Sequence, residues 1–501
     1  MNEAGNLVRK NGFSLGHTRT WTAVWIVVAL LFGGTSQGAL GQTGDQAVIQ
    51  TDSDSNGRLS QQADRLALEV FAAAPVKAAI ARGLQRYAES EVAAKPDAMR
   101  FAKSAMDETG MLASLYTAMG AMPEPSFVWV FAAPRKWHGY SLPGTRWYAD
   151  NTDAIYRAAR IDDTSSYEIT AWTADELPSQ LSFMLYDWLM LENGTADNSD
   201  IPVYTLEITD KTPRNSDGSI TLTVDPDPAN GRPNHLQTRV GVKQVFVREI
   251  RGDGSLPAVR LAIRRTEGSP PIAKSIDKLA EEAVALIDAA VPATERVAVT
   301  FGKLAENQPG AVRVRYVKEG EPDRPMSTDA PLGPDEALGF ISSFLLNLKD
   351  DEALVLTLNM MGTEYLSVNS YRPFLVSPEH VYGSSSLNNY QSKPNPDGSF
   401  TFVFARIDPG VYNWIDSGGI PFGEVAVRWQ TLTGPVSGTL ENAVQSVKLV
   451  KLADLREAVP STMVWVTPEE RAKQREARAE QFKIRCLGTP CEVGGNLDKP
   501  Y

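Results

Sequence analysis

The spacing of hydrophobic positions along this chain changes several times, and the changes divide it. From residue 63 to 125 apolar residues recur at helical spacing: Leu66, Val70 and Phe71 share one face, and Ile80, Leu84 and Tyr87 continue the pattern beyond Pro75, which kinks or divides the helix. Met99, Ala102, Met106 and Ala113 repeat the spacing, and their small and flexible side chains read as helix packing rather than a cofactor box. From 126 to 270 the texture becomes short β-rich runs separated by turn residues, "SFVWVFA", "SYEITAW", "QLSFMLYD", "VYTLEIT", "SITLTVD" and "VKQVFVREI". Such spacing predicts an antiparallel β unit. Residues 271 to 350 return to helix with "IDKLAEEAVALIDAAV" and then a Pro-rich link, and a second β unit follows from 351 to 435. The tail, 436 to 501, carries the charged helix "TPEERAKQREARAEQFKIR". There Thr467 caps, Pro468 suits the first turn and Glu470 returns the capping bond. Its nearly all-polar surface reads as a solvated helix or an arm for a partner.

The two β units share a phrase. "NSDGSITLTV" at 215 to 224 and "NPDGSFTFVF" at 395 to 404 stand 180 residues apart, and with no net gap "VFVR" at 245 to 248 falls on "VAVR" at 425 to 428. Upstream, "LSFMLY" at 181 to 186 matches "LSVNSY" at 366 to 371. Asp-Gly marks a tight turn, because Gly takes a positive φ cheaply. The expected fold is therefore mainly β with helical additions, an α+β chain. It would hold duplicated antiparallel β-sandwich or jelly-roll-like units, a helical N-terminal segment and a helical connector. Each exit strand carries an arginine, Arg248 and Arg428. On an apolar strand an arginine needs carboxylate or carbonyl partners, so it is either a paired scaffold residue or a ligand contact.

At the N-terminus Arg9, Lys10 and Arg19 precede the apolar run Trp21 to Phe32 and then small residues. This is the pattern of a secretory signal over 1–41. The run of 12 residues is shorter than the ~20 that span a bilayer, and the rival reading is an uncleaved anchor extended through Leu40. Export to a periplasm or the extracellular space follows, with membrane contact only if the signal is kept. Residues 42–62 read as a flexible linker. Within it Asp52, Asp54 and Asn56 imitate the start of a calcium loop, but Ala63 stands where the closing Glu belongs. The two cysteines, Cys486 and Cys491, are close enough to pair in an oxidising compartment. A net charge of −12 without a basic run argues against nucleic acid as a partner.

The segment "SLNNYQSKPNPDGSFTFVFARIDPGVYNWIDSGGIPFGEVAVRWQ" resembles domain-of-unknown-function family 1214 of bacterial proteins. The resemblance covers about 75 residues from Asp351 and rests on Asn388, Asp397-Gly398, Asp408-Pro409-Gly410, Asn413-Trp414, Asp416, Gly419, Gly423 and Arg428-Trp429. "WYADNTDAIYRAARIDDTSSYEI" is similar to the N-terminal part of such proteins. The sequence departs from the family at Tyr365-Leu366, where Trp is usual, and near Gly419, where a His is usual. The resemblance implies a β-sandwich and no established reaction.

Candidate chemistry is sparse. The histidines beyond the leader, His138, His235 and His380, show no metal-ligand spacing, so no metal and no cofactor is expected. No phosphate loop or dinucleotide fingerprint occurs, the one G-x-S-x-G match, "GTSQG" at 34 to 38, falls in the signal and carries no chemistry, and "RGD" at 251 to 253 reads as a surface turn. What remains is a polar and aromatic cluster. Asn388, Asn413, Trp414, Arg428 and Trp429 are candidate ligand-binding residues, and Asp408 and Asp416 are candidate catalytic carboxylates. Carboxylates beside Trp suit a sugar, and a pair of them suits glycoside hydrolysis. The competing reading makes them turn and capping residues. The expected partner is a glycan or small organic ligand bound in a sandwich cleft, the alternative a carboxylate-based hydrolase; self-association is compatible with either.

Overall fold

A computed structural model describes residues 45–95, 97–195, 203–307, 313–317, 339–419, 422–432, 440–486 and 491–494. The signal segment lies outside the described residues. Helices α1 (Asp45–Ala72), α2 (Ala74–Glu89) and α3 (Ala98–Met119) open the described chain. Pro75 falls in the first turn of α2, where its missing N–H costs nothing, so it divides the helix rather than kinking it. Helix α1 begins well inside the stretch expected to be a linker. Asp52, Asp54, Asn56 and Gly57 are continuous helix, not the sharply turned loop a calcium ion requires.

The first β-rich stretch holds β1 (Val128–Val130), β2 (Arg135–Trp137), β3 (Tyr140–Leu142), β4 (Ala154–Arg160), β5 (Ser166–Trp172), β6 (Gln180–Tyr186), β7 (Tyr204–Glu207), β8 (Ile220–Asp225), β9 (His235–Gln237), β10 (Gln244–Ile250) and β11 (Arg260–Glu267). Helix α4 (Ile276–Asn307) follows. The second stretch holds β12 (Arg313–Val317), β13 (Gly339–Asn347), β14 (Glu352–Leu358), β15 (Thr363–Tyr371), β16 (Ser386–Asn388), β17 (Phe400–Ala405), β18 (Trp414–Asp416), β19 (Phe422–Leu432) and β20 (Val444–Lys451). The tail ends with α5 (Leu455–Ala458), α6 (Pro468–Lys483) and β21 (Cys491–Val493). The second stretch is thus longer than 351–435: β13 precedes it and β20 follows it. Lysines break the alternation of β20, which hides it as a strand.

The sheets are a five-stranded one, β1-β4-β10-β6-β7, and a four-stranded one, β11-β5-β8-β9; then β12-β13-β19-β15-β16 and β18-β17-β14-β20, with a small three-stranded sheet, β21-β2-β3. Most neighbours are antiparallel, with β8-β9 and β17-β18 parallel. Each five-stranded sheet packs on a four-stranded one over a shared core. Phe183, Leu185, Val245 and Val247 meet Ile169, Leu222 and Ile263 in the first pair. Leu366, Val368, Val425 and Trp429 meet Leu356, Phe402 and Ile415 in the second. The outer face of the first five-stranded sheet, through Tyr156, Ala158, Met184 and Phe246, is covered by α1 to α4. The Cys486–Cys491 disulfide joins the end of the tail helix to β21, which pairs with β2.

The shared phrase makes the same turn twice. Asn215 Nδ2 donates to Ser219 Oγ at 2.9 Å and Thr221 Oγ1 at 2.8 Å, and Asn395 Nδ2 donates to Ser399 Oγ at 2.8 Å and Thr401 Oγ1 at 2.9 Å. Asp217 and Asp397 each accept from the following Ser N–H at 3.0 Å. Gly218 and Gly398 both sit at φ +83°, which only Gly adopts without strain. Asn215→Ala and Asn395→Ala each remove two side-chain bonds from a strand entry. Each is expected to destabilise the protein by about 1–2 kcal/mol in urea denaturation, with similar values for the two sites.

Candidate functional site

A cleft with a cavity volume of about 270 Å³ lies between α6, the 252–254 turn and the 383–391 segment. Segments far apart in sequence build it. One wall is a stripe of α6: Arg471, Gln474, Arg475, Arg478 and Gln481, spaced three or four residues apart so that they share a face. Opposite stand Tyr390 and Gln391, and Tyr412 and Ser384 complete the lining. Gly252 and Gly254 allow this close approach. A Cβ on Gly252 would stand 2.5 Å from Tyr390 Cε2, and one on Gly254 would stand 2.6 Å from Gln481 Oε1. Because Arg251 is buried, with 2% exposure, the "RGD" stretch forms the cleft rim and does not display all three side chains.

Helix α6 is not solvated on every side. Its capping box forms as the sequence predicts, and Arg471, Arg478, Ala479 and Phe482 are buried against the body. Arg471 Nε and Nη2 donate to Asp408 Oδ2 and Oδ1 at 2.9 and 3.2 Å. Arg478 donates Nη1 to Gln391 Oε1 at 2.8 Å, Nη2 to Ser386 Oγ at 2.6 Å, and Nε to the His380 carbonyl. Arg475 stands exposed between them, with its guanidinium 5.8 Å from the Trp414 ring centroid. Ser384, 8% exposed, lines the cleft with a buried Oγ that has no hydrogen-bond partner among the described residues.

The residues singled out in the sequence go to three places. Asp408, Trp414 and Asp416 gather behind the helical wall. Asp408 holds Arg471 and also accepts from Gly410 N at 2.9 Å. Trp414 is buried, donates Nε1 to the Ala405 carbonyl at 3.0 Å and lies 5.2 Å from the Arg471 guanidinium. Burial raises the Asp416 carboxyl, while the Gly418 N–H and the Arg475 charge lower it. Neither Asp408 nor Asp416 is among the residues that line the cleft, whose lining includes one carboxylate, Asp253. Asn413 and Trp429 are built into the sheets. Asn413 Nδ2 donates to the carbonyls of Lys393 and Thr401 at 2.8 and 3.0 Å, as Asn234 does to Pro213 and Thr221 at 3.0 and 3.3 Å. Trp429 is fully buried in the sandwich core with its Nε1 on the Asn359 carbonyl.

Asn388 and Arg428 belong to a buried polar seam where the second five-stranded sheet meets residues 149–153. Tyr365 Oη donates to Asp153 Oδ2 at 2.8 Å, and Asn388 Nδ2 reaches the same oxygen and the Gly252 carbonyl, both at 3.0 Å. Thr152 Oγ1 donates to Asn369 Oδ1 at 2.8 Å. Arg428 donates to Tyr371 Oη at 2.9 Å and to the Ala149 carbonyl at 2.6 Å; its partners are these, not Asp408 or Asp416. Tyr371 Oη in turn donates to the Asp150 carbonyl at 2.7 Å. Burial pushes the Asp150 carboxyl up to about 7, aided by Glu108 and opposed by Arg146 and Arg428. Burial, with Arg146, Arg478 and Arg485 nearby, pushes His380 well below its ordinary value and keeps its imidazole neutral. No cluster of His, Cys, Asp and Glu suited to a metal occurs among the described residues.

The sequence pattern did not single out the cleft walls. The readable signal was the spacing of Arg471, Arg475 and Arg478 on a helix with few apolar residues. No protein-family profile and no curated protein matches the chain. Among solved structures it is similar to an uncharacterized protein from Burkholderia cenocepacia, with TM-score 0.59 and 17% identity over 77% of this chain and 99% of that one. A protein from Vibrio parahaemolyticus aligns with TM-score 0.34 and 9% identity over 60% of this chain and 90% of that one. The first likeness shows a shared fold. The chain is therefore an α+β protein in which paired sheets carry a helical layer, with a polar cleft at the tail helix.

Two outcomes follow from the seam. Arg428→Ala leaves the Tyr371 hydroxyl and the Ala149 carbonyl short of a donor, and is expected to cost about 2–4 kcal/mol in chemical denaturation. Asp150 has a folded-state value raised above that of an unfolded chain. Its contribution is fully present below about pH 4 and is lost as pH rises through about 7. Asp150→Asn is expected to remove that part of the loss, giving a variant more stable than the parent by ~1–3 kcal/mol above pH 7 but not at pH 4. Denaturation midpoints measured across this range check the sign.

Proposed function

We propose that this chain is an exported binding protein that takes a glycan or small organic ligand in the cleft beside α6. The observation that carries the reading is the cleft itself. Its volume of about 270 Å³ lies just below the roughly 300 Å³ at which small-ligand sites begin, room for a single small ring. Its lining combines the tyrosines Tyr390 and Tyr412 with side-chain amides, and it holds the unpartnered Ser384 hydroxyl. Aromatic faces beside hydrogen-bonding amides suit a ring that carries hydroxyl groups. Hydrolysis would need a second carboxylate across the cleft from Asp253, and the described lining does not supply one.

The same reading takes the two sheet pairs as copies of one jelly-roll-like sandwich unit. The matched turns support this, as does the registration of Arg248 opposite Ser182 and Arg428 opposite Ser367. It takes the second copy as a relative of domain-of-unknown-function family 1214, on the sequence pattern from Asp351. Export is supported by the basic and apolar leader and by the Cys486–Cys491 disulfide, and no described helix is long and apolar enough to cross a membrane.

A thermal-shift panel of mono- and oligosaccharides and small ring compounds, followed by calorimetry on each hit, tests the binding reading. At least one compound is expected to raise the melting point, by up to about 2.7 kcal/mol of added stability at 100-fold excess over Kd. Ala477→Trp places a large ring in the cleft from an exposed helix position and is expected to abolish that shift without lowering the parent stability. A shift that survives Ala477→Trp would place the ligand elsewhere and sink the reading.

A further inference from the structure

We infer that the cleft selects a sugar ring bearing a carboxylate, with Arg475 as the residue that recognises the acid group; this rests on the binding reading above. Three guanidinium groups line the cleft, and two are committed. Arg471 is held by Asp408 and by the Val411 and Tyr412 carbonyls. Arg478 spends its donors on His380, Gln391 and Ser386. Arg475 lines the same wall and makes no hydrogen bond or direct ion pair among the described residues; its charge acts on the Asp416 carboxyl, and Trp414 stands beside its guanidinium. A planar fork of this kind matches a carboxylate with two parallel hydrogen bonds.

The setting makes the charge selective. The whole chain carries −12, yet the lining brings Arg471, Arg475 and Arg478 together against one acid, Asp253. A local positive cleft in an acidic protein concentrates anions. Only one of its guanidiniums is uncommitted, and Asp253 stands in the same lining, so a monoanion fits better than a phosphate dianion. The second unpartnered group is the Ser384 hydroxyl, 8% exposed and lining the cleft. An acid group at Arg475 and a hydroxyl at Ser384 together describe a hydroxylated ring with a carboxylate substituent, the chemistry of a hexuronic acid. Gln474 and Gln481 lie on the helix to either side of Arg475 and can donate to or accept from further ring hydroxyls.

Calorimetry with galacturonic acid and with galactose, which differ by the acid group, is the test. Galacturonic acid is expected to bind more tightly by roughly tenfold or more, the scale of a charge-assisted hydrogen bond. Arg475→Gln should erase that difference, Arg475→Lys should keep part of it, and added salt should shrink it. Ser384→Ala should weaken both sugars alike. Equal binding of the two sugars by the parent protein, or a preference that survives Arg475→Gln, overturns the inference and leaves the cleft as a neutral-ligand site. Failure of both sugars and of the wider panel removes the binding reading together with it.

Discussion

Helix α6 buries only Ala479 and Phe482 among its apolar side chains, and two buried guanidinium groups add the polar contacts that hold it against the body. Arg471 and Arg478 are buried; their stems cover apolar surface while their heads reach a carboxylate, carbonyls, an amide and a hydroxyl. Unpaired, each buried charge would cost several kcal/mol. Paired, the geometry of the fork fixes the rotation of the helix, which decides that Gln474, Arg475 and Gln481 face the cleft. Asp408 and Trp414 take their meaning from this. The sequence marks them as a polar and aromatic cluster suited to a ligand, and they form the seat of the wall that would meet one.

The same group ties the cleft to the polar seam. Arg478 donates to Ser386 Oγ, and that hydroxyl donates in turn to Thr152 Oγ1 at 2.6 Å, whose own proton goes to Asn369. Asn388 joins Asp153 to the Gly252 carbonyl, and Gly252 is the residue on which the Tyr390 ring rests. One continuous set of hydrogen bonds therefore runs from the contact between the two sheet pairs to both walls of the cleft. Such a network is strong when every member is satisfied and costly when one is removed. The relative position of the cleft walls is set by buried polar geometry.

How much of this the sequence carries depends on range. The turns at Asn215 and Asn395 are local: Asn, Asp, Gly, Ser and Thr at fixed offsets make the same bonds in both places, and the text alone predicts them. The cap of α6 is equally local. The start of α1 is not legible, because "DSDSNG" has the residue types of a loop and helical continuity there is not written in propensity. Asn388 and Arg428 stand out as polar residues on apolar strands, which shows that they need partners. It does not show that those partners are Asp153, Gly252, Tyr371 and Ala149, as many as 279 residues away.

The cleft was hidden for the same reason, and its composition shows why a motif search passes over it. Catalytic sites declare themselves by rare residues at short spacing, as His and Cys do for metals. A recognition site made of Arg, Gln, Ser and Tyr uses residues that occupy every protein surface. What separates Arg475 from an ordinary surface arginine is not its identity but its company. Its two neighbours on the same face are fully engaged, and it is not. Ser384 differs from the other serines of "GSSSL" in the same way. Ser385 Oγ donates to the Glu379 carbonyl and Ser386 Oγ accepts from Arg478, while Ser384 Oγ has no partner among the described residues. Ser384, one of several buried polar groups left without a partner, and the exposed Arg475 stand in one cleft and mark the place where a bound molecule would complete the network.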